Sequence, residues 1–192
     1  MKYILINGKK RSGKDYFAEQ LKTELEKNGK SVFVISYADP IKDIISTTLE
    51  LPMYDLDTFK NNPEEYGLEL KVYPNNQPQV IYGYRTIREI LQLFGTEAMK
   101  KWFGEDVWVQ LLKKHSENSG ADYVLVPDFR FLSEYLDDSI TVKIINNKEN
   151  DNTDTHRSEN ELNDFIFDYE IDNTGYVDLT DQIEEFMFNI GK

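Results

Sequence analysis

The sequence contains no cysteine, and this absence excludes two kinds of site. A disulfide framework and a thiolate-bound metal both require cysteine, so we expect neither in this protein. A chain without thiols also suits a reducing compartment, which predicts a cytoplasmic location.

Basic residues are scarce relative to acidic ones. The chain has 22 Lys and Arg against 35 Asp and Glu, which gives a formal net charge of -13. Nucleic-acid backbones are held by basic surfaces, so this balance argues against nucleic acid as a partner. A small anionic ligand remains compatible with it if the cations are concentrated at one cleft.

Long apolar runs are also absent. No run approaches the roughly 20 residues that a membrane-spanning helix needs, so we expect no membrane partner. A strand-like segment begins at residue 3, which leads us to expect no secretory signal. The 192 residues are enough for a single domain with a full core.

Alternating strand-like and helical patterns predict an α/β fold. Apolar runs bounded by turn residues predict five strands, at residues 3–6, 31–37, 123–126, 140–147 and 168–173, and the third of them runs on into a charged turn. Helical periodicity predicts five helices, at residues 14–28, 39–51, 86–103, 105–118 and 178–190. A strand, a glycine-rich loop, a helix and a second strand, in that order, open a doubly wound parallel sheet. The proline-rich residues 52–84 are predicted to be an insertion, with room for a short hairpin.

The loop after the first predicted strand carries a phosphate-binding pattern. Gly8, Gly13 and Lys14 have the spacing of a P-loop, and they lie between a predicted strand and a predicted helix. Backbone N–H groups of such a loop surround phosphate oxygens, while the lysine reaches the β- and γ-phosphates. The loop contains three further cations, Lys9, Lys10 and Arg11. Such charges either neutralise a transferring phosphoryl group or are simply solvated.

Asp15 stands where a P-loop normally has a serine or threonine that contacts Mg²⁺. A carboxylate at the start of a helix can bind the metal directly or through a water, and it also suits the positive end of the helix dipole. Asp15 is therefore either a metal ligand or a charge that stabilises the helix start.

Charged residues also follow the third predicted strand. Asp128, Arg130 and Glu134 are expected at its carboxyl end, the edge at which open α/β sheets bind ligands. Asp128 suits the Mg²⁺ shell or an acceptor phosphate, and the Arg130 guanidinium suits phosphate oxygens. The alternative is an ordinary surface ion pair between Arg130 and Glu134.

Other acceptor-side candidates come from three stretches of sequence. They are Asp39, Lys42, Arg85, Arg88, Gln92, Thr96, Trp108 and Phe131. Arg88 and Gln92 share a helical face that suits a phosphate and a base edge, or else forms a solvated surface. Asp39 is more securely a helix N-cap, because Pro40 follows it. Trp108 and Phe131 either stack on a base or pack in the core.

Four stretches together resemble the bacteriophage deoxynucleoside monophosphate kinases, within the P-loop NMP kinase fold. They are GKKRSGKD, LQLFGTEAMKKWFGEDVWV, VPDFRFLSEY and HRSENEL…FDYEIDNTGYVDL. The resemblance spans residues 3–179 and includes Asp15, whereas Tyr16 departs from the Thr often found at its position. It implies a three-layer P-loop kinase fold with a central parallel five-stranded sheet, an NMP-binding insertion at residues 52–84 and a small lid at residues 147–159.

The resemblance also implies an activity, namely transfer of the γ-phosphate of ATP to a deoxynucleoside 5′-monophosphate (dNMP) with Mg²⁺. ATP would be held by residues 8–16, which include Ser12, while Arg157 of the lid closes onto phosphates. Asn173 and Gly175 would lie near the donor adenine. Lys14, Arg11, Asp15, Asp128 and Arg130 are the candidate catalytic residues. The resemblance further implies that Arg130 and Glu134 contact nucleotide and that Arg88 and Gln92 face the acceptor. The location would be the host cytoplasm if a phage encodes the chain. The sequence leaves open which bases are accepted and whether the chain forms a homodimer.

Three other functions remain open on the sequence. Animal-type phosphomevalonate kinases share a very similar SGKD loop, so the acceptor is alternatively another phosphorylated molecule. A P-loop ATPase or nucleotide-gated binding module would hydrolyse ATP without an acceptor. A degenerate loop would bind no nucleotide and serve only as scaffold.

Overall fold

The computed structural model describes residues 1–9, 11–49, 56, 68–69, 84–85, 87–146, 160–175 and 177–191. The chain divides into two compact units, residues 1–37 with 108–192, and residues 38–107. The strands are β1 (Lys2–Gly8), β2 (Val32–Val34), β3 (Leu68–Glu69), β4 (Tyr84–Arg85), β5 (Tyr123–Val126), β6 (Ile140–Ile145) and β7 (Tyr169–Asp172). The α-helices are α1 (Lys14–Lys27), α2 (Asp39–Leu49), α3 (Ile87–Gln92), α4 (Lys101–Phe103), α5 (Val107–Ser119) and α6 (Thr180–Ile190).

A parallel five-stranded sheet forms the centre of the first unit. Its strand order is β2-β5-β1-β6-β7, and Ile4 of β1 pairs with Leu125 on one side and Ile140 on the other. The predicted α/β fold with a central parallel sheet is therefore confirmed. This order also brings the carboxyl ends of β1, β5 and β2 to the same edge, where the candidate loops begin.

Helices α1 and α6 cover one face of the sheet. Ile4, Ile6 and Val142 of the sheet pack with apolar residues of both helices, and Phe17 meets Phe186 edge to face with ring centroids 6.1 Å apart. Each fully buried Leu, Ile or Phe side chain contributes about 1.5–3 kcal/mol to folding. This packing fixes the first turn of α1, where the predicted phosphate-binding loop ends (residues 8–14, called the phosphate loop below).

Helix α5 covers the opposite face. Tyr3, whose side chain projects from β1 away from Ile4, has Ser116 of α5 as its hydrogen-bond partner, and burial raises the pKa of the Tyr3 phenol. Leu5 and Val124 on the same face are completely buried. Helices therefore lie on both faces of the sheet, as in the three-layer arrangement of P-loop kinases.

The strand predicted at residues 123–126 is confirmed, whereas the one predicted at residues 31–37 is shorter than expected. Strand β5 ends at Val126 because Pro127 has no N–H for a ladder and begins a turn with Asp128. The segment predicted at residues 31–37 pairs only over Val32–Val34, although Ile35 still donates its N–H to the Leu125 carbonyl at 3.1 Å. The residues beyond each strand become the loops of the candidate site.

The second unit contains short helices and one small antiparallel pair. Strand β3 pairs with β4, with Leu68 opposite Arg85, and Ile45, Leu56 and Ile87 form a small buried cluster. The insertion predicted at residues 52–84 falls mostly outside the described residues. The lid predicted at residues 147–159 falls outside them entirely.

One helix start and one helix interior in this unit differ from the predictions. Asp39 is the first helical residue of α2 and not its N-cap, because the Lys42 N–H donates to the Ala38 carbonyl at 2.9 Å. The single helix predicted at residues 86–103 contains a π-helix at Leu93–Lys100. Gly95 in that π-helix packs closely on Ile41, since a Cβ there would lie 2.7 Å from the Ile41 Cδ1. Across the described residues, no helix has both the length and the apolar character to cross a membrane.

Candidate nucleotide site

The phosphate loop connects β1 to α1 at the carboxyl edge of the sheet. Gly13 has a φ of 94° and precedes the helix, and its carbonyl accepts the first intrahelical bond from the Phe17 N–H at 2.9 Å. Arg11, at the tip of the loop, has a φ of 61°, in a region that non-glycine residues rarely occupy. Strain of this kind often marks functional loops, because surrounding contacts must hold it in place.

Both glycines of the motif are required by close contacts. A Cβ on Gly8 would lie 2.4 Å from the Ser12 Oγ and 2.9 Å from the Ile144 carbonyl oxygen. A Cβ on Gly13 would lie 2.2 Å from the Asn173 Nδ2. The loop backbone therefore packs directly on the ends of the neighbouring strands, and this close approach leaves no room for a side chain at Gly8 or Gly13.

The Lys14 ammonium lies over the loop backbone. Its Nζ donates to the carbonyl oxygens of Gly8 at 2.7 Å and Lys9 at 2.8 Å. Lysine is flexible and carries a point charge, so the same ammonium can exchange these carbonyls for phosphate oxygens. The structure therefore keeps a cation beside the backbone of the phosphate loop.

The other candidate residues of the loop differ in their surroundings. The Lys9 Nζ contacts the side-chain oxygens of Asn160 at 3.3 Å and Asn163 at 3.2 Å, in the turn before β7. Asp15 and Tyr16 are exposed on the first turn of α1. Lys10 and Arg157 lie outside the described residues, so their predicted roles remain predictions.

Asp128 is fixed to the segment that follows β2. Its Oδ1 accepts the backbone N–H of Tyr37 at 2.8 Å, and the Tyr37 hydroxyl donates to the Glu134 carbonyl oxygen. Burial, followed by the nearby Glu134 and Asp128 carboxylates, raises the pKa of the Tyr37 phenol, which keeps this hydroxyl protonated as a donor. The loop after β5 is thereby held at two points by a single tyrosine.

Glu134 binds the backbone of its own loop. Its side chain is buried, and Oε2 accepts the N–H groups of Arg130 at 2.8 Å and Phe131 at 3.0 Å. This capping role was missed from the sequence, where Glu134 suggested a nucleotide contact or a surface ion pair. The spacing of four residues was the only available signal, and it does not distinguish a side-chain partner from a backbone one.

Two further contacts hold the loop after β5. The Asn7 Nδ2 donates to the Phe129 carbonyl at 2.8 Å, and the Glu161 Oε1 accepts the Leu132 N–H at 3.0 Å. Phe129 is completely buried, and its ring meets those of Phe165 and Phe167 edge to face. The segment that carries Asp128 and Arg130 is consequently preorganised by β1, β2 and the turn before β7.

The residues predicted for the acceptor side differ in burial, and the side chains of some of them lie outside the described part of the structure. Trp108, at 3% exposure, is buried, as in the core role that the sequence also allowed, whereas Phe131 is partly exposed. In the second unit, the Lys42 Nζ lies 3.8 Å from the Asp39 Oδ1. The backbone of four others is placed in β4, α3 and the π-helix, but their side chains lie outside the described part of the structure: Arg85, Arg88, Gln92 and Thr96. On the donor side, Gly175 has a φ of 87° and is exposed beyond β7.

The protein side chains of the site would supply only part of a Mg²⁺ ligand set, as is usual in phosphoryl-transfer enzymes. Among the described residues, no group of three or more His, Cys, Asp or Glu side chains is arranged to hold a metal ion. Mg²⁺ in kinases is usually held by one or two carboxylates together with substrate phosphates and water. Asp15 and Asp128 are the carboxylates predicted for this role, and bound phosphates would complete the ligand set.

Comparison with known proteins identifies a kinase family. The family model described as phosphomevalonate kinase matches residues 6–137, which is more than two thirds of the chain. The match includes the phosphate loop and the loop that carries Asp128, Arg130 and Glu134. No curated protein matches the chain.

Proposed function

The chain belongs to the phosphomevalonate kinase family, and on this premise we propose that it transfers the γ-phosphate of ATP to a phosphate group of a small acceptor. The observation that carries this proposal is the phosphate loop. Lys14 is held against the Gly8 and Lys9 carbonyls, at the junction of β1 and α1 and at the carboxyl edge of a parallel sheet. Ligands of open α/β sheets bind at that edge.

The loop supplies positioning and charge to the donor. Its amides and Lys14 would bind the β- and γ-phosphates, and the exposed Arg11 would add positive charge as the γ-phosphoryl group moves. Asp15 and Asp128 are the carboxylates that would hold Mg²⁺, which when bound neutralises charge on the phosphates. Phosphoryl transfer needs little covalent participation by the protein, so this positioning accounts for most of the catalysis.

The acceptor would be held by the loop after β5. An oxygen of its phosphate attacks the γ-phosphorus of ATP, the bond from that phosphorus to the β,γ-bridging oxygen breaks, and ADP leaves. A phosphate is already ionised and is a competent nucleophile, so no general base is required. Arg130 offers a guanidinium for the acceptor phosphate, and its backbone N–H is fixed by Glu134 at 2.8 Å.

Two acceptors are supported by different observations. The family match favours phosphomevalonate or a similar small phosphomonoester. The resemblance to dNMP kinases favours a deoxynucleoside monophosphate, because it continues through residues 156–179, beyond the end of the family match at residue 137. Both acceptors present a phosphate monoester, so the loop after β5 could hold the phosphate of either one.

The test measures ADP formation from ATP and Mg²⁺ with each of the four dNMPs, the matching ribonucleotides and phosphomevalonate, and without any acceptor. We expect ADP to form only when a phosphorylated acceptor is present. The same rate of ADP formation without acceptor would identify an ATPase, and no ATP binding at millimolar concentration in equilibrium dialysis would identify a scaffold.

A further inference from the structure

A buried asparagine at the end of β7 forms part of the wall on which the phosphate loop rests. Asn173 is completely buried, and its backbone N–H donates to the Ile145 carbonyl at 2.8 Å, which extends the ladder between β6 and β7. The residue before it is held by α6, since the Asp172 N–H and carbonyl both bond to the Gln182 side chain at 2.9 Å. The peptide group that precedes the Asn173 Cα is therefore fixed by both the sheet and a helix.

The Asn173 side chain reaches across to the phosphate loop. Its Nδ2 donates to the Ser12 carbonyl at 2.9 Å, between residues 161 positions apart in the chain. The same nitrogen would lie 2.2 Å from a Cβ on Gly13, so glycine at this position leaves the space that the amide occupies. The loop and the asparagine are packed as one unit.

This contact also sets the direction of a peptide group in the loop. The peptide between Ser12 and Gly13 is trans and planar, so its N–H points opposite to its carbonyl. Because the Ser12 carbonyl points to Asn173, the Gly13 N–H must point away from it. In a phosphate-binding loop, the N–H groups before the helix are the ones that bind phosphate oxygens.

We propose that Asn173 is a positioning residue for the phosphoryl donor: it acts through the Ser12–Gly13 peptide and does not touch the nucleotide. This role rests on the proposed function, since it assumes that the loop binds ATP. It differs from the implied place of Asn173 beside the donor adenine, which would require its amide to face the ligand. The acceptor-side loop is held by other contacts, so removal of the amide should affect the use of ATP selectively.

The test compares Asn173→Ala with the parent chain and with Thr141→Val as a matched control. Thr141 is also buried in the sheet, and its hydroxyl bonds to Asp168; among the described residues its side-chain hydrogen bonds do not reach the phosphate loop. Steady-state kinetics are measured at a temperature at which all three proteins are fully folded. We expect Asn173→Ala to lower kcat/KM for ATP by about 10-fold or more, because small misplacements of binding groups cost that much or more, while the acceptor KM stays within about 2-fold.

Hydrogen exchange provides a readout that does not depend on turnover. Without nucleotide, the amides of residues 8–14 should exchange about 10-fold faster in Asn173→Ala than in the parent, and those of Thr141→Val should not change. If Asn173→Ala does not fold, Asn173→Ser, which keeps a polar group but cannot reach Ser12, replaces it.

The outcomes separate this role from the proposed function. The positioning role would be overturned if Asn173→Ala lowered the melting temperature but kept the kcat/KM for ATP and the amide exchange of residues 8–14 of the parent. An equal loss of ATP use in Thr141→Val would overturn it too. Absence of transfer by the parent with every acceptor would refute the proposed function, and loop exchange would still decide whether Asn173 orders the loop.

Discussion

Replacing Glu134 by Ala is expected to destabilise the loop after β5 more than an ordinary surface change. The substitution removes the carboxylate oxygen that accepts the N–H groups of Arg130 and Phe131, at 2.8 and 3.0 Å. The Glu134 side chain is only 6% exposed, so water does not readily replace the lost acceptor. Two backbone donors would lose their partner.

The size of the effect follows from the two hydrogen bonds. A hydrogen bond to a charged group contributes about 1.5–3 kcal/mol, and a neutral one contributes about 0.5–1.5 kcal/mol. The two donor groups are partly buried, so we expect a loss of about 2–4 kcal/mol for Glu134→Ala. Glu134→Gln keeps an oxygen that accepts both N–H groups but loses the charge, and should lose about 1–2 kcal/mol.

Urea unfolding measures these losses, with Ser133→Ala as the control. Ser133 is exposed in the same turn, so its change should stay within about 0.5 kcal/mol of the parent. The order of stability should be parent, Gln variant, Ala variant, at a common m-value. If Glu134→Ala unfolded like the parent while losing use of the acceptor, the carboxylate would be a nucleotide contact, as the resemblance implies, and its capping role would be refuted.

Three other perturbations test separate parts of the molecule. Lys14→Ala should lower kcat by about 10²-fold or more without unfolding the chain, because it removes charge from the transition state; activity within a few-fold of the parent would exclude Lys14 from the mechanism. Arg130→Ala should raise the acceptor KM by about 10-fold and leave ATP binding little changed, whereas loss of ATP affinity alone would assign Arg130 to the donor. Asp122 accepts hydrogen bonds from the Ser31 backbone and hydroxyl, which lower its pKa, so its stabilisation is present above the unfolded pKa and is lost as the pH falls through the folded one. Asp122→Asn should therefore lose less stability than the parent between about pH 6 and pH 3 in urea unfolding, and an equal loss in both proteins would contradict this assignment.

Local sequence patterns predicted the secondary structure and the order of its elements, because these depend mainly on residues close together in the chain. The apolar run of β1, the two glycines and Lys14 occur within a dozen residues, so their pattern predicted a loop between a strand and a helix, and the structure has that loop between β1 and α1. The order of strand-like and helical patterns predicted the parallel sheet, because crossover helices between strands lead to parallel pairing. Both predictions concern contacts between near neighbours or between regular elements.

Contacts between distant residues were not predictable from these patterns. Asn173 and Ser12 meet only because β6 and β7 pair beside β1, and no spacing in the sequence records that meeting. Glu134 looked like a ligand contact because its backbone partners have no sequence signature. The π-helix at Leu93–Lys100 was missed for a similar reason, since its apolar pattern differs little from that of an α-helix.

Phosphorus NMR of the reaction mixture tests the kinase assignment most directly. ATP, Mg²⁺ and a phosphorylated acceptor, dTMP or phosphomevalonate, are incubated with the parent chain and with Lys14→Ala. We expect resonances of ADP and of an acceptor that has gained a second phosphate, with the parent chain alone. Release of inorganic phosphate, with every acceptor left unchanged, would contradict the kinase assignment.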